Sequence, residues 1–494
     1  MITDPIFTGL EPRAVWQHFA ALCAIPHPSK HEAALRRHLM EWAGQRGIAV
    51  REDAAGNLIL TKPASPGREQ APGVVLQGHL DMVCQKHSTH AHDFFSDPIR
   101  PELENGWLLA RHTTLGADNG IGVALALAVL EDETLAHGPL EVLLTADEEA
   151  GMGGVRGLAA GTLQGRYLIN LDTEEWGQFY LGCAGGVDVV AHLPAPASPA
   201  PASWVGVEVK LDGLTGGHSG VDIHENRANA IRLMLSTLLE LGLPYRFAVT
   251  ELTGGSVRNA LPRSAHALLL MPALQCSAFR HAVNQVEARL QRQYRQTDPN
   301  LSLVATPSGQ APAEVVEARA WRRLALALSE APYGVAAMSP AFPGVVETSN
   351  NLGTLSLAPG QCEAGFLVRS LSNPARDALA ARIAAQIQAA GGTAEIHGAY
   401  PGWEPKPDSP LLARCQAVYE SLYGQPAGLQ VIHAGLECGL IAHTHPQLDM
   451  ISFGPDIRGA HAPGERVEVA SVDRCWQLLT ALLDQLSLPE RTSP

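Results

Sequence analysis

The sequence predicts an α/β fold: a mostly parallel sheet with α-helices on both faces, interrupted by an inserted α+β domain. Three observations carry this. Apolar runs end repeatedly in polar or acidic residues, as strands buried on both faces of a parallel sheet do. Helical patterns stand between those runs. Two proline-rich connections, Pro194–Pro201 and Pro401–Pro407, bracket a stretch of different pattern. At 494 residues the chain is too long for one ordinary core. The first domain is therefore expected over 1–186 and 401–494, and the inserted one over 187–400.

Taken in order, residues 11–47 read as two amphipathic helices separated by Ile25-Pro26-His27-Pro28-Ser29, with Ser29 and Glu32 spaced as a capping box for the second. Val74-Val75-Leu76 is the strand before Gly78-His79-Leu80-Asp81. Gly116-Ala117-Asp118-Asn119-Gly120 opens an apolar helix, Ile121 to Leu130. Leu140 to Leu144 leads into Asp147-Glu148-Glu149, and Tyr167 to Leu171 into Asp172. In the insertion, helices are expected over Asn229–Glu240, Phe279–Tyr294, Glu314–Glu330 and Asn373–Ala390. The strand Met450–Phe453, a loop through His461 and the helix Val472–Leu486 return to the first sheet.

Composition narrows the function. With 46% hydrophobic and 17% charged residues the chain is globular, and a formal charge of −15 argues against nucleic-acid or anionic-membrane partners, which need a basic patch. The eight cysteines are scattered without a C-x-x-C pair, so they read as reduced, mostly buried thiols. Met1 to Val15 lacks the order of a signal peptide, and no apolar run approaches the ~20 residues needed to span a bilayer. A cytoplasmic location is the default expectation.

In open α/β sheets ligands bind beyond the carboxyl ends of the strands, and the His and acidic residues above fall there. A hydrolytic metal site needs nitrogen and oxygen ligands and a nearby base. His79 is the first candidate, with Asp81 two residues on, placed to hold its ring. Asp118 could equally be an N-cap, Asp172 a turn initiator and His461 an exposed loop residue. Glu148-Glu149 is harder to explain away, because adjacent acids closing an apolar strand repel one another unless cations are present. On a strand they point to opposite sides, so one can coordinate while the other serves as base. Together these residues make a set suited to two metal ions sharing a carboxylate.

These motifs resemble the co-catalytic zinc peptidases, the family that includes carnosinases, aminoacylases and glutamate carboxypeptidases. Gly78-His79-x-Asp81, Gly116-Ala-Asp118-Asn-Gly120, Glu148-Glu149-x-Gly151 and Gly-x-His461 stand in the family's order and spacing. The likeness extends along nearly the whole chain through Ile25–Glu32, Gly216-Gly-His-Ser-Gly220, Glu225–Ala230, Pro401-Gly-Trp403 and His433-Ala-Gly-Leu-Glu-Cys-Gly439. The resemblance implies two zinc ions per subunit, with cobalt or manganese as substitutes. His79 and Asp172 would bind one, Glu149 and His461 the other, and Asp118 would bridge. Asp81 would orient His79, and Glu148 would be the general base. Asp at position 172 favours dipeptides, Xaa-His among them, as substrates. The insertion would be a lid whose His218, Asn259 and Arg369 bind substrate, and family habit implies a homodimer. An N-acyl amino acid deacylase on the same scaffold, or a silent binding protein, remain the alternatives.

Overall fold

The computed structural model describes residues 5–310 and 312–488, and its chain divides into two compact units. The first comprises the chain up to Gly182 with Pro405–Val431 and the stretch from Glu437; the second comprises Cys183–Glu404 with Ile432–Leu436.

The first unit is built on an eight-stranded sheet in the order Ala49–Glu52, Leu58–Lys62, Leu140–Thr145, Val74–His79, Tyr167–Asn170, Asp449–Ser452, Gln178–Cys183, Gly428–Ile432. The four strands from Leu140–Thr145 to Asp449–Ser452 pair in parallel, whereas Ala49–Glu52, Leu58–Lys62 and Gln178–Cys183 join antiparallel. The α/β class holds, and the sheet is mixed: parallel at its centre, where it is most deeply buried. Val74–His79 is buried at every position.

The helix Ala117–Glu131 is buried from end to end except at Asp118 and Glu131, which is why its sequence is apolar all round rather than striped. Val469–Ser487 instead buries Val472, Cys475, Leu479, Leu482 and Leu486, one face at helical spacing. The two entry helices form at Arg13–Ala24 and Ala33–Gln45. The expected capping box does not. Glu32 is itself the N-cap, and the Ser29 hydroxyl donates to Asp81 at 2.7 Å. The Glu32 carboxylate accepts from the backbone N–H of Lys30 and Asp147 and from Arg36. The distant Asp81 carboxylate takes the Ser29 hydroxyl, and Glu32 serves donors both near and far instead of the Ser29 N–H.

A small antiparallel sheet, Ile457–Arg458, Arg466–Glu468, Trp107–Leu109, Glu102–Glu104, was not anticipated. It ties the loop 459–465 to the segment before Asp118, with Gly464 N–H donating to the Ala110 and Thr113 carbonyls.

The second unit carries a nine-stranded antiparallel sheet, which contains in order Val346–Ala358, Gln361–Ser370, Gly185–His192 and Thr393–Tyr400. Its helices are Ala230–Leu241, Cys276–Gln293, Ala318–Glu330 and Asn373–Ala389. The third starts later than expected because Glu314–Val316 forms a strand against Ala197–Pro199. Phe279 and Phe366 are fully buried in a core that lies wholly within this unit.

Candidate metal centre

The strand Val74–His79 ends in a histidine that is 2% exposed. Its backbone N–H donates to Asn119 Oδ1 at 3.2 Å, and Asn119 Nδ2 donates to the Leu171 carbonyl at 2.7 Å, so one side chain links the loops carrying His79, Asp118 and Asp172. A Cβ at Gly78 would stand 2.2 Å from that Asn119 oxygen, so only glycine admits this link. The His79 Nδ1 lies 2.9 Å from the Asp81 carbonyl, an interaction that leaves Nε2 for Asp118 Oδ1 at 3.1 Å and Asp172 Oδ1 at 3.4 Å.

Asp118 is not an N-cap. Its two oxygens face two imidazoles, Oδ1 toward His79 and Oδ2 toward His461 Nε2 at 3.2 Å. The helix start is instead capped by Glu465, whose Oε2 accepts from Leu115 and Gly116 N–H at 2.7 and 3.0 Å and whose Oε1 accepts from Ala117 and Asp118 N–H at 2.7 and 3.2 Å. His461, with a left-handed backbone at φ 63°, reaches Glu149 Oε1 at 3.0 Å.

Glu148 and Glu149 do not lie on the strand. Leu140–Thr145 ends before them, and they sit in a turn entered through Asp147 at φ 56°. The Asp81 carboxylate holds that turn: Oδ1 accepts from Glu148 N–H at 2.9 Å and Oδ2 from Glu149 N–H at 3.1 Å. This corrects the expected geometry at Asp81. Its backbone carbonyl makes the closer contact with the His79 ring, and its carboxylate still pairs with that ring, Oδ1 standing 3.6 Å from Nδ1. The strand stops at His79, so Asp81 is not on the same pleat and its side chain turns to the acidic loop.

The structure therefore brings His79, Asp81, Asp118, Glu148, Glu149, Asp172 and His461 together. Ligand atoms lie within 4.8 Å of one another in three sets: His79, Asp118 and Asp172; Asp118, Glu149 and His461; His79, Glu148 and Glu149. Glu149 Oε1 and Asp172 Oδ1 are buried, and each faces an imidazole Nε2, that of His461 at 3.0 Å and that of His79 at 3.4 Å. Burial pushes the Asp172 carboxyl up to about 7 and Glu148 well above the carboxylate range. Burial opposes a proton on His79, yet the surrounding carboxylates outweigh it and raise its pKa well above normal. Hydrogen bonds to Asp118 and Glu149 push His461 up to about 11. Four carboxylates crowded around two imidazoles fit a pair of divalent cations.

In the second unit, Arg369 and His218 come together, with Arg369 Nη2 3.2 Å from His218 Nε2. Arg369 is 5% exposed and also donates to Tyr400 Oη at 2.8 Å. Asn259 joins through its backbone, its carbonyl accepting from Ser219 N–H at 2.8 Å. Arg369, Gly186 and Tyr400 lie side by side on adjacent strands, and a Cβ at Gly186 would fall 2.4 Å from the Tyr400 hydroxyl. Gly186 is thus the notch through which Tyr400 reaches the guanidinium.

A model of the peptidase family M20/M25/M40 matches residues 75–485. The chain belongs to this family. It is 41% identical to the cytosol non-specific dipeptidase of Escherichia coli over 477 residues, 97% of this chain and 98% of that one. The crystal structure of aminoacylhistidine dipeptidase from Vibrio alginolyticus superposes with a TM-score of 0.88 at 41% identity, covering 98% of this chain and 99% of that one. A tripeptidase from Staphylococcus aureus shares the fold at 15% identity, with a TM-score of 0.60 and coverage of 97% and 99%.

The sequence had singled out all seven residues that the structure brings together here. It missed Glu465, Tyr400 and Asn119 as positioning groups. Glu465 stands four residues after His461, and its only local signal is an acid beside Gly464.

Proposed function

We propose that this protein is a metal-dependent dipeptidase in which His79 and Asp172 hold one divalent cation, Glu149 and His461 a second, and Asp118 bridges them. The observation that carries this reading is the single Asp118 carboxylate presenting one oxygen to each imidazole. Zinc suits this nitrogen and oxygen set, with cobalt or manganese as substitutes. Such ions supply Lewis-acid polarisation of the scissile carbonyl and a more acidic attacking water. Glu148, a half-buried carboxylate with a raised pKa, takes the water's proton and returns it to the leaving amine. Asp81 keeps Glu148 and Glu149 in place through their backbone N–H groups.

In the second unit, His218 Nδ1 accepts from Val221 N–H at 3.0 Å, which leaves the proton on Nε2. That Nε2–H then faces an Arg369 N–H, two donors converging where an anionic oxygen of the substrate would satisfy both. We assign this cluster to the free carboxylate or the developing oxyanion of a dipeptide, with Asn259 assisting. Burial and Arg369 push His218 down to about 4, so it acts as a neutral donor, not as a cation.

The extensive likeness to two dipeptidases supports dipeptides, Xaa-His among them, over N-acylated amino acids. A cytoplasmic location accords with the name of the Escherichia coli relative, and no described helix is long and apolar enough to cross a membrane. A homodimer is the assembly we expect, and its mass in solution tests that.

The deciding experiment measures hydrolysis of unblocked dipeptides, tripeptides and N-acetyl amino acids, with chelator and with zinc restored. Zinc-restorable cleavage confined to dipeptides is expected. Cleavage of acylated amino acids alone would refute the substrate reading. Glu148→Gln should keep its metal and lose about 10²–10⁴-fold in kcat, the usual size of general-base catalysis.

A further inference from the structure

Just before the central strands of the first unit reach the metal centre, four polar side chains are buried side by side: Thr145, Gln77, Asn170 and Ser452, none more than 1% exposed. Gln77 is opposite Asn170 in the parallel register, and Asn170 is opposite Ser452. Thr145 is opposite His79, two residues along the strand from Gln77 and therefore on the same face. Glu437, the first residue of the helix Glu437–Thr444, closes this row and is itself fully buried.

Every bond along the row points the same way. The Ser452 hydroxyl donates to Asn170 Oδ1, Asn170 Nδ2 donates to Gln77 Oε1 at 2.5 Å, and Gln77 Nε2 donates to Glu437 Oε2 at 2.6 Å. Thr145 Oγ1 donates to the same Glu437 oxygen at 2.5 Å. At the far end Asn170 Oδ1 also accepts the backbone N–H of Asp172 at 3.2 Å. The two ends fix the direction. A backbone N–H only donates, so Asn170 turns its oxygen to Asp172 and its NH2 to Gln77, and Gln77 is left with its own NH2 for residue 437, which must accept. A reversed row would set an amide NH2 against the Asp172 N–H, and a buried donor without an acceptor is costly. Burial pushes the Glu437 carboxyl up to about 8, and a proton held there sits on Oε1, because Oε2 already accepts twice. Oε1 is buried and has no hydrogen-bond partner among the described residues.

We propose that Glu437 is a positioning residue for the metal centre: as the terminal acceptor of the row it locks the amides of Gln77 and Asn170, and through Asn170 it holds the Asp172 backbone where its carboxylate binds metal. This assignment rests on the two-metal reading and adds that the two ions are supported unequally. Gln77 stands two residues before His79 and Asn170 two before Asp172, so the row serves chiefly the ion held by His79 and Asp172.

The test titrates metal-free full-length protein with zinc against a competing chelator, and follows hydrogen exchange of the amides of residues 170–173 without metal. Glu437→Met keeps the length of the side chain and removes the acceptor. One of the two zinc-binding steps should weaken about 10–100-fold with the other nearly unchanged, and exchange at residues 170–173 should speed up about tenfold. Glu437→Gln can turn its oxygen to Gln77 and Thr145 and its NH2 to the Oε1 side, so it should keep both zinc steps and the slow exchange. Gln77→Met cuts the row one link further on and should reproduce the Glu437→Met pattern, with no added loss in the double variant; it answers the question if Glu437→Met does not fold. Equal losses in the Gln and Met variants would assign the effect to the charge of Glu437 and overturn the proposal. Equal weakening of both zinc steps, or unchanged zinc binding and exchange in Glu437→Met, would overturn it too. A wild-type protein that binds no divalent cation would overturn the two-metal reading itself, whereas exchange, read without metal, still decides whether Glu437 holds the Asp172 segment.

Discussion

Replacing Glu465 by Gln changes one oxygen to an NH2 group and leaves shape and burial in place. In the native protein both oxygens accept two backbone N–H groups each, at 2.7 to 3.2 Å, and the residue is 2% exposed. Either orientation of the amide leaves two of the four N–H groups facing a donor. A buried group that loses its partner costs about 1–3 kcal/mol, so with two such groups the segment 115–118 should be destabilised by roughly 2–6 kcal/mol. Because Asp118 is the carboxylate shared between the two histidines, metal affinity should fall about 10–100-fold, as it does when supporting hydrogen bonds around ligands are removed. Two measurements address this: hydrogen exchange of the amides of residues 115–118 in metal-free protein, and metal titration against a competing chelator. A loss of 3 kcal/mol would speed that exchange about a hundredfold. Unchanged exchange at these amides together with unchanged metal affinity would refute the claim that Glu465 holds Asp118 in place.

Asp81→Asn puts a donor against the Glu148 or Glu149 N–H, and should lower kcat about tenfold or more while the fold, followed by circular dichroism, is retained. Gly186→Ala should push Tyr400 off Arg369 and raise KM for dipeptides, with metal content, measured by mass spectrometry, unaffected. The second unit should lose stability on acidification. His433 and His218 have folded pKa values pushed down to about 3 and about 4, chiefly by burial, so the unfolded chain takes up protons first. The stability they contribute is complete above about pH 6.5 and is lost as pH falls toward those values, at most about 1.4 kcal/mol per pH unit for each group. Denaturant unfolding from pH 7 to 4.5 should therefore show a shallower pH dependence in His433→Asn than in wild type, and equal slopes would count against the assignment.

Residues that announce themselves locally were legible. An apolar run closing in His79, in Glu148-Glu149 or in Asp172 can be read without a fold, because strand burial and strand termination are both written in neighbouring residues. The same local logic failed where a distant partner competed. Ser29 and Glu32 have capping-box spacing, yet one serves Asp81 and the other Asp147 and Arg36. Asp81 and His79 alternate as if on one pleat, yet the strand ends between them.

The sequence by itself determined the α/β class, the central strands and the identity of the residues that follow them, since these follow from hydrophobic periodicity and from acids placed where apolar runs stop. Only the tertiary structure decided that Asp118 faces two histidines 39 and 343 positions away, that Glu465 caps a helix start some 350 positions earlier, and that Ser349, Arg369, Gly186 and Tyr400 form one row. The reason is physical. A carboxylate or an imidazole takes its role from the charges and N–H groups within about 3 Å of it, the reach of a hydrogen bond, and sheet register and chain return set those neighbours where no local pattern can encode them.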